Sequence, residues 1–294
     1  MGQDQTQVGG EIFDILIVGS GIGARCAALA IGQSDSSVSI AALALPAASD
    51  DMPAVLVSPP CQHFLSNIGC WPALSSGAQS IDTLHVSEQG RLGASRFTGA
   101  DLGEQSLGSV IDAKLLAANV PGIANTIACA SVLDVSSGDD VAVVRVRDSS
   151  GAEQSLQARL VLVADEGVAA TASLQNFSEA PAKSAISFVA TMAADHCNVA
   201  YQRYVADSKI TALPSADARD VRFVVEGPAA IALADSDNEL SKNQVQSHFG
   251  HRLGRIQSFS KETTVLLSES VPVVRQPRVI ELGSPATVAP FAAG

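Results

Sequence analysis

The chain has 294 residues, 47% of them apolar and only 16% charged, which suffices to bury a core in each of about two domains and excludes intrinsic disorder. Its formal net charge of -12 and isoelectric point near 4.7 set up a negative field that excludes nucleic acid as a partner. No apolar run reaches bilayer-spanning length and no basic segment followed by an apolar one opens the sequence, so a cytoplasmic location is expected.

Residues 1–10 are polar and read as a frayed tail. Phe13 to Val18 (FDILIV) is a short apolar run rich in β-branched residues, the pattern of a strand buried on both faces of a parallel sheet. Gly19-Ser20-Gly21-Ile22-Gly23-Ala24 follows, and from Arg25 to Gly32 the alanines and Leu29 recur at helical spacing. Val38 to Leu45 is a second short apolar strand. Strand, glycine turn, helix and strand within about thirty residues make a βαβ unit.

Pro53 to Trp71 reads as a loop entering a short helix, Thr83 to Phe97 as a hairpin turning at Glu88-Gln89-Gly90, and Leu107 to Val120 as a helix. Val132 to Val135, Val141 to Arg147 and Ser155 to Gln157 predict a small antiparallel meander with a turn at Ser149-Ser150-Gly151. Ala158 to Ala164 returns as an apolar strand of the parallel core. Several strand-like runs follow from Ala185 to Glu226, then a helix from Asn238 to Phe249 and a last strand from Val279 to Leu282. This order predicts an α/β protein whose nucleotide-type domain is discontinuous, interrupted by a second, mostly antiparallel sheet.

In the fingerprint G-x-G-x-x-G/A the first glycine permits the tight turn, the second lets a pyrophosphate approach the backbone, and the third small residue allows close helix-strand contact. Gly19, Gly21 and Ala24 occupy those places. The alternative is a plain tight turn that binds nothing. The acid that should end the second strand and hold the ribose hydroxyls falls near position 42 by spacing, where Ala42 stands, and its loss removes a charge-assisted hydrogen bond of roughly 1.5 to 3 kcal/mol. The five cysteines, Cys26, Cys61, Cys70, Cys129 and Cys197, lack the close spacing of a metal or redox motif and read as buried thiols, so no metal site is expected.

FDILIVGSGIGA at 13–24, IGCWPAL at 68–74, LHVSEQGRLGASRF at 84–97, ARLVLVADEG at 158–167, FGHRLGRI at 249–256 and RVIELGSPATVAPFAAG at 278–294 stand in a fixed order across almost the whole chain. In that order they resemble the ubiquinone-biosynthesis hydroxylases of the class A flavin monooxygenases, in particular the 2-octaprenyl-6-methoxyphenol hydroxylase type, in a divergent and C-terminally short form. HVSEQGRLGASR and FGHRLG are the most distinctive stretches, since a generic Rossmann protein has no reason to contain them.

The resemblance implies a Rossmann-like FAD-binding domain over residues 1–78, 104–174 and 272–294, and a substrate-type sheet domain over 79–103 and 175–271. It implies FAD as cofactor, NADPH or NADH as reductant, and a prenylated phenol or quinone precursor as substrate. It implies other ubiquinone-biosynthesis proteins as partners, through which the chain could sit peripherally at the inner membrane. No catalytic side chain is implied, because the flavin carries the oxidation. Gly19, Gly21, Ala24, Asp165 and Gly283 are the implied cofactor contacts, and Arg96 and Arg203 border the substrate or nicotinamide region or extend into solvent. His63, His85, His196, His248 and His251 read as surface or structural residues.

Departures from the family pattern fall on flavin contacts. Pro53 replaces an arginine, Glu166 interrupts Asp165 and Gly167, Ser284 replaces the aspartate after Gly283, Ala289 replaces the histidine before Pro290, and the glycine loop beneath the isoalloxazine would begin at Gly294. Three functions stay open: an FAD-dependent hydroxylase of prenylated phenols; a non-catalytic relative, a pseudoenzyme with a degraded flavin site that binds partner subunits or a quinone-like lipid; or a simple nucleotide-binding domain without redox function, for which the Gly19 to Ala24 turn would suffice.

Overall fold

A computed structural model describes residues 11–45, 54–164, 183–267 and 276–282. The chain opens with β1 (Ile12–Val18), α1 (Ile22–Ser34) and β2 (Ile40–Ala44). It continues through β3 (Ala54–Val57), α2 (Pro59–Asn67), α3 (Trp71–Leu74), β4 (Gln79–Ile81), β5 (Thr83–Glu88), β6 (Ser95–Thr98), β7 (Gly108–Asp112) and α4 (Ala113–Asn119). Next come β8 (Thr126–Ala128), β9 (Ser131–Ser137), β10 (Ala142–Arg147) and β11 (Glu153–Val163). The remaining elements are β12 (Lys183–Met192), β13 (Val199–Val205), β14 (Ser208–Pro214), β15 (Asp220–Glu226), α5 (Pro228–Ala234), α6 (Asn238–Phe249), β16 (Ile256–Leu267) and β17 (Val279–Glu281). Two compact units result, one from residues 1–50, 120–180 and 270–285, the other from 51–119, 181–269 and 286–294.

The first unit is a seven-stranded sheet ordered β8-β2-β1-β11-β10-β9, with β17 beside β11. β8, β2, β1, β11 and β17 run parallel, and the buried apolar runs of β1, β2 and β11 explain why those segments read as core strands, whereas the short edge strand β8, with Thr126 and Ala128 exposed, carries no such signal. β11 is one continuous strand where the sequence suggested two. Its first half pairs antiparallel with β10 and its last three residues pair parallel with β17 along the same edge, so one strand serves both the meander and the parallel core. Ala24, Ala28 and Ile31 of α1 lie on one helical face and pack on Ile17, Ala42 and Leu162; Leu16, Val18, Leu43, Val144 and Val161 fill the opposite face of the sheet.

The second unit contains a seven-stranded sheet ordered β16-β12-β15-β14-β13-β5-β6, antiparallel throughout except where β13 meets β5. One face carries Ile186, Phe188, Ile210, Phe223 and Val225, covered by Leu233 of α5 and by Val245 and Phe249 of α6. On the other face Leu84, Ala200, Leu213 and Val224 meet Ala54, Ile81 and Val110 of a small antiparallel sheet ordered β3-β7-β4. Thr83 to Phe97 is a hairpin, as its alternation predicts, and α6 spans the residues its pattern indicated. Two readings are corrected. Ala54–Val57 is a strand rather than part of a loop, and Leu107 to Val120 begins as strand β7, because Gly108 has φ 144 and the β-branched Val110 and Ile111 pair with β3.

Candidate functional site

β1 lies between β2 and β11, and all three run parallel, so their carboxyl ends emerge along one edge. The strand that follows β1 in sequence lies on one side of it and β11 on the other, which makes β1 the point where strand order reverses. Open parallel sheets bind ligands outside such a switch point. Gly19, directly after β1, has φ 114, a conformation that favours glycine. Its amide donates to the Leu43 carbonyl at 3.0 Å, and the Ala164 amide donates to the Val18 carbonyl at 2.8 Å, so the turn is tied to both neighbouring strands.

Gly21 is the N-cap of α1, with φ -66 and ψ -178, values any residue adopts. A Cβ built on it would meet no atom of the described residues within 4 Å. Packing among the described residues therefore does not require glycine here, and what the missing side chain provides is open approach to the first-turn amides. No side chain caps this helix and its first turn carries no acidic residue. The first helical hydrogen bond runs from the Arg25 amide to the Gly21 carbonyl at 3.0 Å, leaving the amides before it without helical acceptors. With the helix dipole, these donors form a seat for an anion that needs no basic side chain. Ala24 is fully buried against Ile17, Ala42 and Leu162, where a larger side chain would push helix and sheet apart. The residues present thus fit the diphosphate of a dinucleotide.

Asp165 and Gly283 lie outside the described residues, as do Pro53, Ser284, Ala289 and Gly294. The residues that lead into the first two are placed: Ala164 bonds to Val18, and the Leu282 amide donates to the Val163 carbonyl at 2.8 Å, so both segments reach the carboxyl edge that holds Gly19. The position inferred for the ribose-binding acid needs correction. Ala42 sits in the middle of β2, fully buried, paired with Ile17 on one side and Thr126 on the other. Counting residues from the glycine turn misses the Asp35–Ser39 connection that delays the strand. The strand end is Ala44, which shares the α1-facing side with Ala42, and residues 40–45 carry no carboxylate.

In the second unit, Arg96 on β6 and Arg203 on β13 flank the strand β5 that lies between them. Arg96 is exposed and donates to Thr83 Oγ1 at 3.4 Å; Arg203 is half-buried and donates to Ser87 Oγ at 3.1 Å. His196 is buried and structural: its Nδ1 accepts the Asn198 amide at 3.1 Å, so its Nε2 proton faces the Ser215 and Asp217 carbonyls at 3.0 and 3.1 Å. His63 and His251 are exposed. His85 and His248 are half-buried; burial first, and then the neighbouring arginines, hold both imidazoles below their ordinary pKa. Cys26, Cys70 and Cys129 are buried as expected, but Cys61 and Cys197 are exposed, a correction that follows from their places on α2 and in the turn before β13. Sequence reasoning treated these arginines and histidines one at a time and did not find that His85, Arg96, Tyr201 and Arg252 meet; only the distinctiveness of the 85–96 and 249–254 stretches pointed to them.

The fold is that of the FAD-dependent monooxygenases, a Rossmann-like domain with a second sheet domain. No family model matches the sequence. The flavoprotein/dehydrogenase of Cytophaga hutchinsonii is similar at TM-score 0.67 and 15% identity, over 94% of this chain and 71% of that one. The p-nitrophenol 4-monooxygenase PnpA of Pseudomonas putida DLL-E4 is similar at 0.60 and 15%, over 93% and 72%. Klebsiella pneumoniae HpxO, in complex with FAD and uric acid, is similar at 0.62 and 15%, over 96% and 75%. Among the described residues no helix is long and apolar enough to cross a membrane.

Proposed function

We propose that the chain binds FAD and acts as a monooxygenase on a prenylated phenol or quinone precursor of the ubiquinone-biosynthesis type, with NADPH or NADH as reductant. One observation carries this reading: an uncapped helix begins at the carboxyl edge of a parallel sheet, and its N-cap is a glycine that nothing among the described residues requires. The amides from Gly21 to Ala24 would bind the diphosphate, Gly19 would hold the turn that aims them, and Asp165 and Gly283 would add contacts from the two segments that arrive at the same edge. FAD, when bound, would supply the redox chemistry, with a nicotinamide as hydride donor and oxygen as oxidant. The chain's own part is to seat the diphosphate, orient the ring and keep water from it. HpxO, whose structure was determined with FAD and uric acid bound, lends the reading support as a protein of the same fold. The motif order described above favours a prenylated phenol over other aromatic substrates, and partner proteins of the same biosynthesis would deliver it.

The test is direct. Purified protein is scanned in the visible range and then titrated with excess FAD while flavin fluorescence is followed. A flavin spectrum or saturable quenching is expected, followed by NAD(P)H consumption that rises when a short-chain prenylated phenol is added. A colourless protein that never quenches flavin fluorescence would refute the proposal and favour the partner-binding relative.

A further inference from the structure

The two most distinctive sequence stretches meet on the second unit's large sheet, where the loop after α6 touches the β5–β6 hairpin. Arg96, His85 and Tyr201 stand in register on β6, β5 and β13, and therefore side by side on one face. The His85 and Tyr201 rings lie 5.5 Å apart, and Phe249, the last residue of α6, stands edge-on to Tyr201 at 6.3 Å. The loop is anchored independently of the hairpin. Gln246 donates from Nε2 to the Gly250 and Gly254 carbonyls and accepts the Ile256 amide at 2.7 Å, while Leu253 is buried in the core beneath. Arg252 is exposed and reaches out of this loop, its Nη1 standing 3.4 Å from His85 Nδ1.

A guanidinium only donates, so this contact needs the lone pair of Nδ1, and His85 is here the neutral imidazole with its proton on Nε2. A second proton removes that lone pair and sets N–H against N–H. It also places a cation beside both Arg252 and the cross-strand neighbour Arg96. Those two arginines are the charges that act on His85, and no ion pair among the described residues engages either of them. Around the ring, burial holds the Tyr201 phenol above its ordinary pKa, so it stays uncharged; Cys197, in the turn before β13, acts on Tyr201. His248, at the end of α6, responds to Arg203. Burial first, and then the two arginines, hold His85 below its ordinary 6.5. The contact is therefore complete above pH 6.5 and is lost as pH falls through the lowered value.

We propose that His85 and Arg252 form a proton-operated latch between the β5–β6 hairpin and the loop after α6: neutral His85 holds Arg252 against the hairpin, and protonated His85 releases it and uncovers the paired His85 and Tyr201 rings. The moving part is the Arg252 side chain, because Gln246 and Leu253 keep the loop in place. Histidine suits this task because its charge changes under mildly acidic conditions while arginine keeps its own. The latch lies wholly within the second unit and does not depend on flavin binding at the β1–α1 turn.

Two-dimensional NMR of the full chain between about pH 7.5 and 5 tests the proposal, with the His85, Tyr201 and Arg252 side-chain signals assigned from single variants. The Arg252 Nε–H signal should move with the same midpoint as the His85 imidazole. Relaxation of the Tyr201 ring by a soluble nitroxide should rise across that midpoint as the ring is uncovered. Arg252→Gln, a change at an exposed position, should raise the His85 midpoint and leave Tyr201 relaxed by the nitroxide to the same high degree at every pH. His85→Gln, whose amide oxygen accepts from Arg252 without titrating, should keep Tyr201 covered at every pH. An Arg252 signal that ignores the His85 titration overturns the proposal. So does nitroxide relaxation of Tyr201 that stays level in the parent, or a His85 midpoint unchanged in a folded Arg252→Gln protein.

Discussion

A carboxylate introduced into β2 should have opposite consequences at two positions only two residues apart. Ala42 is fully exposed to the core and closed to solvent, with Ile17, Ala24 and Leu162 around it and strands paired on both sides. In Ala42→Glu the longer side chain overpacks the contact between α1 and the sheet, at about 1 to 3 kcal/mol, and buries a charge with no cation in that cluster, at about 3 to 5 kcal/mol. At about 2 to 4 °C per kcal/mol, the thermal midpoint should fall by about 10 °C or more. Ala44 lies on the same side of the strand but at its end, half-buried and one residue beyond the Val18–Leu43 pair, level with Gly19. Ala44→Glu should change stability by less than about 1 kcal/mol and, if FAD binds as proposed, tighten it about tenfold or more through a charge-assisted hydrogen bond to the ribose. Differential scanning fluorimetry and FAD quenching titrations of the two variants measure both effects. An Ala42→Glu protein that melts like the parent would refute the register of β2 and the placement of the strand end.

Phe223→Ala should lower stability by about 3 to 5 kcal/mol in urea denaturation, because the ring is fully buried and packs edge-on against Phe249 at 5.3 Å and near Phe259 at 6.4 Å. His85 and His248 have folded-state pKa values below the ordinary 6.5, so unfolding takes up protons; their contribution is complete above pH 6.5 and is lost as pH falls through the lowered values. The parent protein should therefore lose stability on acidification below pH 6.5 more steeply than a His85→Gln/His248→Gln variant, as read from urea midpoints across pH.

The βαβ start was legible because each part carries a local signal: a buried apolar run, a glycine that must take positive φ, and alanines at helical spacing. The meander was legible for the same reason, with its turn at Ser149-Ser150-Gly151. What local patterning misses is long-range pairing. Ala54–Val57 and Gly108–Asp112 are short, and they are strands because they pair with each other, about fifty residues apart in sequence. The division of β11 between two partners on one edge leaves no mark in the strand itself. At the candidate site, spacing located Gly19, Gly21 and Ala24 but displaced the acid position from 44 to 42, since loop length is not fixed by the motif. The meeting of His85, Arg96, Tyr201 and Arg252 was hidden because they come from β5, β6, β13 and the loop after α6, and only the sheet register sets the first three side by side.

The account depends on whether the amides at the start of α1 receive a diphosphate, and Gly21→Asp tests this most directly. Aspartate is a strong N-cap and suits the helix dipole, so without FAD the variant should be as stable as the parent or up to about 1 kcal/mol more stable. Its carboxylate would occupy the open space beside the amides and repel the diphosphate, so FAD affinity, measured by fluorescence quenching, should fall at least about 100-fold. Undiminished FAD binding by a folded Gly21→Asp protein would contradict the account.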